Sequence, residues 1–181
     1  GAAAYGSHAT VNLLLDHGAR TSHQTDMGCD VLTLACENAS LSTSAFEALL
    51  TDMNVNRQIA PKTQKWRAAS RLFESMAKRN VSSNALTLDM AHQRGATALH
   101  KAAQFGNAEL VTALLSSGAE PSLETRNAMG CTPLEVATRF GPFPDVELML
   151  VQAGLRQRFD SSFQIREGRA VGRECLAEGA T

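Results

Sequence analysis

The stretch Arg94-Gly-Ala-Thr-Ala-Leu-His-Lys-Ala-Ala-Gln-Phe-Gly-Asn-Ala-Glu-Leu-Val-Thr-Ala-Leu-Leu-Ser-Ser-Gly-Ala119 decides the fold. Thr97 stands where a side-chain oxygen can cap a first helix, Ala102 and Ala103 are small enough for two helices to approach closely, and Gly106 permits the turn between them. Leu110, Leu114 and Leu115 supply apolar positions at helical spacing in a second helix, and Gly118 stops it by taking a left-handed backbone. The unit reads as turn, helix, tight turn, helix, stop.

Working outward, the unit recurs with a period near 33 residues, the mark of a stacked repeat architecture. Met129-Gly-Cys-Thr-Pro-Leu-Glu-Val-Ala-Thr-Arg-Phe-Gly141 repeats it with Thr132 as cap and Pro133 at the first helical position, where a missing N–H costs nothing. Its second helix is expected to end at Gly154. Ala3, Gly6, Val11, Leu14, Leu15 and Gly18 match Ala103, Gly106, Val111, Leu114, Leu115 and Gly118, so a truncated copy opens the chain. Gly28-Cys-Asp-Val-Leu-Thr-Leu-Ala-Cys36 starts another, with Asp30 as cap, a Ser-rich junction, and Phe46, Leu49 and Leu50 in its second helix. Thr63-Gln-Lys-Trp-Arg-Ala-Ala69 keeps the capping Thr and the Ala pair, which makes 58–91 a degenerate copy; one amphipathic helix from Lys62 to Arg79, inserted between repeats, is the alternative reading. The caps then run Asp30, Thr63, Thr97, Thr132 and the stops Gly18, Asn54, Asn84, Gly118, Gly154. Every stop is one of the two residue types that best tolerate left-handed backbone.

Gly-x-Thr-Pro-Leu-x-x-Ala-x-x-x-Gly and the Leu-Leu-x-x-Gly-Ala ending are similar to the ankyrin repeat. The resemblance covers residues 1–157 as repeats at 1–23 (truncated), 24–57, 58–91 (degenerate), 92–125 and 126–157. It implies an all-α fold, an α-solenoid of helix-turn-helix repeats with protruding hairpin-like turns. It also implies a structural role for His100, which hydrogen-bonds within and between repeats in the family; Thr33, Trp66 and Glu135 replace that His elsewhere. Asn56 matches the hairpin Asn that asparaginyl hydroxylases modify in such proteins. Residues 158–181 form a tail expected to cap the stack with Phe159, Phe163 and Ile165 and to be disordered after Glu167.

Composition agrees with a globular chain: of 181 residues 44% are hydrophobic, 19% charged and 5% aromatic. A formal charge of -1 gives no global basic field for nucleic acid or anionic lipid. Cys29, Cys36, Cys131 and Cys175 show neither CxxC nor a disulfide ladder, so reduced thiols and an intracellular setting are expected. No run approaches a membrane span and no signal peptide opens the chain. The start at Gly1 without Met gives the expectation that the chain is cut from a longer protein. Nucleotide-binding, metalloprotease and hydrolase motifs are absent, and no catalytic residue, cofactor or metal is expected.

A stack of such repeats offers its hairpin tips and first-helix faces to a partner. Carried over repeat by repeat, the family's contact positions fall on Tyr5, Met27, Asn38, Arg71, Arg94, Gln104, Phe105, Met129, Arg139 and Phe140. Aromatic and Arg side chains are enriched among interface hot spots, so a protein or peptide partner is expected, and an acidic one suits the ladder. Arg57, Lys62, Lys65, Arg67, Arg71, Lys78 and Arg79 form a second, basic feature around Trp66, Ala69, Phe73 and Met76. The sequence therefore reads as a non-catalytic interaction scaffold binding on its concave face. The alternatives are a regulatory or targeting segment of a larger kinase or ubiquitin ligase, and a calmodulin- or anionic-lipid-binding module.

Overall fold

Side-chain caps set most of the helices. In the computed structural model, which describes residues 1–38, 41–51, 53–81 and 84–159, the helices are α1 Ala2–Tyr5, α2 His8–Asp16, α3 Val31–Ala35, α4 Thr43–Leu50, α5 Gln64–Lys78, α6 Ala85–Gln93, α7 Ala98–Gln104, α8 Ala108–Ser116, α9 Pro133–Phe140 and α10 over 144–159. A 3-10 turn lies at Glu120–Ser122, and the described residues contain no strand. The expected caps Asp30, Thr63 and Thr132 each accept a backbone N–H three residues on. Pro133 opens α9, where Thr132 and Glu135 form a reciprocal capping box.

The stop positions divide. Gly18 and Gly118 take φ of 74° and 90°, each followed by an Ala whose N–H returns to the carbonyl five residues back. That is the helix-ending motif the sequence points to. Asn84 instead caps the start of α6, and the same ending is made at the end of α5 by Asn80, at φ 52°. Gly154 ends nothing: α10 runs through it to residue 159. At Asn54 the side chain accepts the N–H of Asn56 after α4 has ended. The expected tail contacts of Phe163 and Ile165, and the disorder after Glu167, lie outside the described residues.

One apolar core runs from Ala3 of α1 through Leu32, Phe46, Leu99, Leu110 and Leu114 to Val146 and Leu150 of α10. α1 packs on α3, α3 on α7 and α7 on α9, while α2 packs on α4 and α4 on α8. The stack thus passes from α3–α4 directly to α7–α8. No described residue between Val55 and Ala98 belongs to its core. The segment read as a degenerate repeat is a helix pair, as a repeat is, but α5 is unbroken over fifteen residues and packs chiefly on α6.

The protruding turns explain this arrangement. In the first, Thr25 accepts the N–H of Gly28 and donates its own to Cys29; in the last, Asn127 does the same with Gly130 and Cys131. Ile59 makes the same two bonds to Gly95 and Ala96. Residues 60–94 therefore stand where the other fingers have 26–27 and 128–129. The helix pair is carried on the tip of a finger, and its length is close to one repeat period.

Candidate functional site

α6 lies over the first helices of the stack. Its Gln93 accepts the thiol of Cys29 at 3.7 Å, its Asp89 accepts Lys101 Nζ at 2.9 Å and Gln104 Nε2 at 2.6 Å, and its His92 meets Phe140 edge-to-face at 5.2 Å. Lys101, only 1% exposed, reaches Glu37 at the end of α3 as well, at 3.1 Å. A buried ammonium needs this enclosure by acceptors, because desolvation costs several kcal/mol per ion. Burial pushes the Asp89 carboxyl up, but the Lys101 ammonium and the donors around it bring it below the ordinary range.

The two buried histidines have structural work. His100 Nδ1 accepts the Thr97 N–H at 3.2 Å, which places the proton on Nε2, and that donates to the Cys131 carbonyl of the next finger at 3.0 Å. This is the bond within and between repeats that the resemblance implies. His92 Nδ1 accepts from Asn127 at 3.1 Å, and its Nε2 has no hydrogen-bond partner among the described residues. Burial holds both pKa values down to about 4, helped at His92 by the positive charge of Arg139. Thr33 and Glu135, standing in for His, each bond back to their own cap.

The ten expected contact residues separate into groups. Tyr5 at 88% and Phe105 at 46% are exposed at the ends of α1 and α7, and Arg139 is exposed near the end of α9. Met27 and Met129 are half-buried at the finger tips, Met27 against Cys29, Ile59 and Ala96. Asn38 and Gln104 are turned inward, both 6% exposed: Asn38 donates to the carbonyls of Ala3 and Gly6, and Gln104 to Asp89. Phe140 packs on His92. Asn38 and Gln104 are thus engaged within the fold, by a preceding repeat and by α6, while Phe140 is half-buried against α6. Asn56 is likewise held, donating to Gly118 O at 2.8 Å and accepting from Ser122 at 2.6 Å.

Arg71 and Arg94, both on the expected contact ladder, line one cleft. α5 and the fingers enclose an open cleft of about 490 Å³, lined by Arg67, Arg71, Arg94 and Arg126 over a floor that includes Ile59, Pro61 and Ala128. Arg94 grips Glu74 bidentately at 2.6 Å and Arg126 pairs with Glu135 at 2.9 Å. Arg71 is exposed with no partner among the described residues, and Arg67 uses Nε on the Pro61 carbonyl. The periodicity of α5 placed Arg67, Arg71 and Glu74 on one face; only the finger insertion brings Arg94 and Arg126 opposite them.

A family model for ankyrin repeats matches residues 66–158 in three copies, more than half of the chain. The chain belongs to the ankyrin-repeat family. That membership carries the α-solenoid fold and a protein-binding role. Protein phosphatase 1 regulatory subunit 27 of Mus musculus is 36% identical over 76 residues, 42% of this chain and 47% of that protein. Calmodulin-binding transcription activator 5 of Arabidopsis thaliana is 42% identical over 60 residues, 31% of this chain and 6% of its own length. Calmodulin-binding transcription activator CBT of Oryza sativa subsp. japonica is 36% identical over 89 residues, 47% and 10%. This chain thus spans less than half of each relative. Among the described residues no helix is long and apolar enough to cross a membrane, and no His, Cys, Asp and Glu group could hold a metal ion.

Proposed function

We propose that the chain is a non-catalytic interaction module that holds a partner protein along the finger tips and the exposed ends of the first helices. One observation carries the reading: Phe105 is left in solvent beside the stack, its ring 5.5 Å from the Lys101 ammonium, with Arg139 exposed on the next first helix. Aromatic and Arg side chains held on rigid helices are efficient anchors, because little side-chain entropy remains to be lost. The inner positions beneath α6 contribute shape rather than contacts. Similarity to a phosphatase regulatory subunit supports a regulatory or targeting role beside a catalytic partner.

The test is affinity capture from lysate of cells that express the protein, comparing the intact chain with a Phe105→Ala, Arg139→Ala variant. Both side chains are exposed, so circular dichroism and the urea midpoint should be unchanged. A protein retained by the intact chain and lost by the variant is the expected result. Equal retention by both sinks this placement of the contact surface. The calmodulin reading requires Trp66, Phe73 and Met76 to leave their half-buried places in the α5–α6 pair, so calcium-dependent capture of calmodulin by the folded chain is not expected.

A further inference from the structure

We propose that the arginine-lined cleft between α5 and the fingers docks an extended, Asp- and Glu-rich segment of a partner protein, a refinement that rests on the reading of the chain as an interaction module. Charge argues first. Among the described residues four guanidinium groups line the cleft and no carboxylate does; the nearby Glu74 and Glu135 each neutralise one arginine, at 2.6 and 2.9 Å, which leaves Arg67 and Arg71 without an ion-pair partner there. The whole chain carries a formal charge of -1, so this positive field is local and built by the fold.

Geometry selects the chemistry of the occupant. Arg67 and Arg71 lie one helical turn apart on α5, so their planar donor forks can face two carboxylates of one extended strand. Arg94 is fixed by its bidentate bond to Glu74, and Lys78 is drawn toward the Ala128 carbonyl at 3.5 Å, so one wall is already ordered before a ligand arrives. The floor of Ile59, Ala60, Pro61 and Ala128 is apolar, which suits the methylene stems of Glu side chains. No aromatic side chain lines the cleft, so it has no platform for stacking a nucleotide base, and an open cleft of about 490 Å³ accommodates a few residues rather than a duplex.

The experiment is a fluorescence-anisotropy titration of the intact chain with a labelled synthetic peptide alternating Asp and Glu with Ala, beside a Gln/Asn peptide of the same length. Binding of the acidic peptide should weaken about tenfold or more in an Arg67→Gln, Arg71→Gln variant and should weaken with added salt. A Lys62→Gln, Lys65→Gln variant removes the same charge from the same region without touching the cleft lining, and should bind within about twofold of the intact chain. Equal loss in both variants reduces the effect to net charge and overturns the proposal. So does undiminished binding in the Arg67 and Arg71 variant, or equal binding of the Gln/Asn peptide. An oligonucleotide of matched charge that binds as well as the acidic peptide, or inorganic phosphate that displaces it at equal concentration, assigns the cleft to another ligand. Because Phe105 and Arg139 are intact in these variants, peptide binding that survives a failed capture experiment leaves the cleft standing while the anchor placement falls.

Discussion

Lys101 Nζ lies 2.9 Å from the Asp89 carboxylate and thereby ties α6 to α7, with Glu37 of the α3 end as the ammonium's second partner. Removing the ammonium leaves two carboxylates facing each other under α6. Lys101→Met, which keeps the length of the side chain, should destabilise the protein by about 3 kcal/mol in urea unfolding. Adding Asp89→Leu to it should recover part of the loss, because an apolar pair needs no desolvation of charge. A loss below about 0.5 kcal/mol for Lys101→Met would mean that α6 is held by its other contacts.

Urea unfolding of the stack should be a single transition. A weak third repeat points to separate unfolding of 1–56 and 92–157, since solenoid stability is a sum of repeat and neighbour terms. The core, however, crosses directly from Leu32 and Phe46 to Leu99, Leu110 and Leu114. Far-UV circular dichroism and Trp66 fluorescence report different parts of the chain, the second only the α5–α6 pair. The dichroism should follow one sigmoid, and two resolved steps in it would contradict a continuous core.

What the sequence could reveal follows from what is local. Caps and turns act over three to six residues, so Asp30, Thr63, Thr132, Gly18 and Gly118 were readable, as was His100. Stacking partners are not local. The period of 33 residues behind the expectation of a degenerate repeat at 58–91 is also the length of this helix pair, and the family match begins within it at residue 66; what the sequence does not carry is the pairing of Ile59 with Gly95 and Ala96, which places the pair on a finger. Asn84 was misread for the same reason: Asn serves a helix end or a helix start, and the chain used Asn80 for the first. The burial of Asn38 and Gln104 depended on neighbours distant in sequence. The clustering of Arg71 with Arg94 and Arg126 depended on the insertion.

Acid should destabilise the fold in a window set by the two histidines. Both have folded pKa values near 4 against an ordinary 6.5, so between these values the unfolded chain binds more protons than the folded one. Stability is therefore full above about pH 6.5 and falls as the pH drops toward about 4, by roughly 2 to 3 kcal/mol per histidine at full titration. Below that, Asp89, held under its ordinary pKa, adds a further loss. Urea midpoints at pH 7.5, 6 and 4.5 check the sign, and His92→Gln should flatten the slope by removing one of the two titrations. An unchanged midpoint from pH 7.5 to 4.5 would falsify the burial of both imidazoles.

Cysteine reactivity should follow burial. Burial pushes the Cys29 thiol up to about 11 and Cys36 higher still, Cys36 donating to the Ala98 carbonyl at 3.5 Å. Thiolate is the reactive form, so neither should react with iodoacetamide at pH 8 on the timescale of an accessible thiol. Cys131, half-exposed with a smaller upward shift, should label faster than either. Peptide mass spectrometry after timed alkylation gives the order, and labelling of Cys36 before Cys131 contradicts the packing of α3 on α7.

The finger insertion makes the sharpest structural prediction. Replacing residues 60–94 with the Asp-Met pair of the first finger should leave a folded stack, because Ile59 and Gly95–Ala96 already close the same turn as Thr25 with Gly28–Cys29. The shortened chain loses the helical signal of α5 and α6, and with it the Asp89 and Gln93 contacts. Lys101 keeps Glu37 at 3.1 Å as a partner, now facing water, where an ammonium is well solvated. Cooperative urea unfolding should persist at a lower midpoint, since the core from Ala3 to Leu150 contains no residue of the removed segment. Loss of cooperative unfolding would show instead that α5 and α6 are a structural member of the stack. The same variant lacks Arg67, Arg71 and Arg94, so it should also fail to bind the acidic peptide while retaining a partner anchored by Phe105 and Arg139.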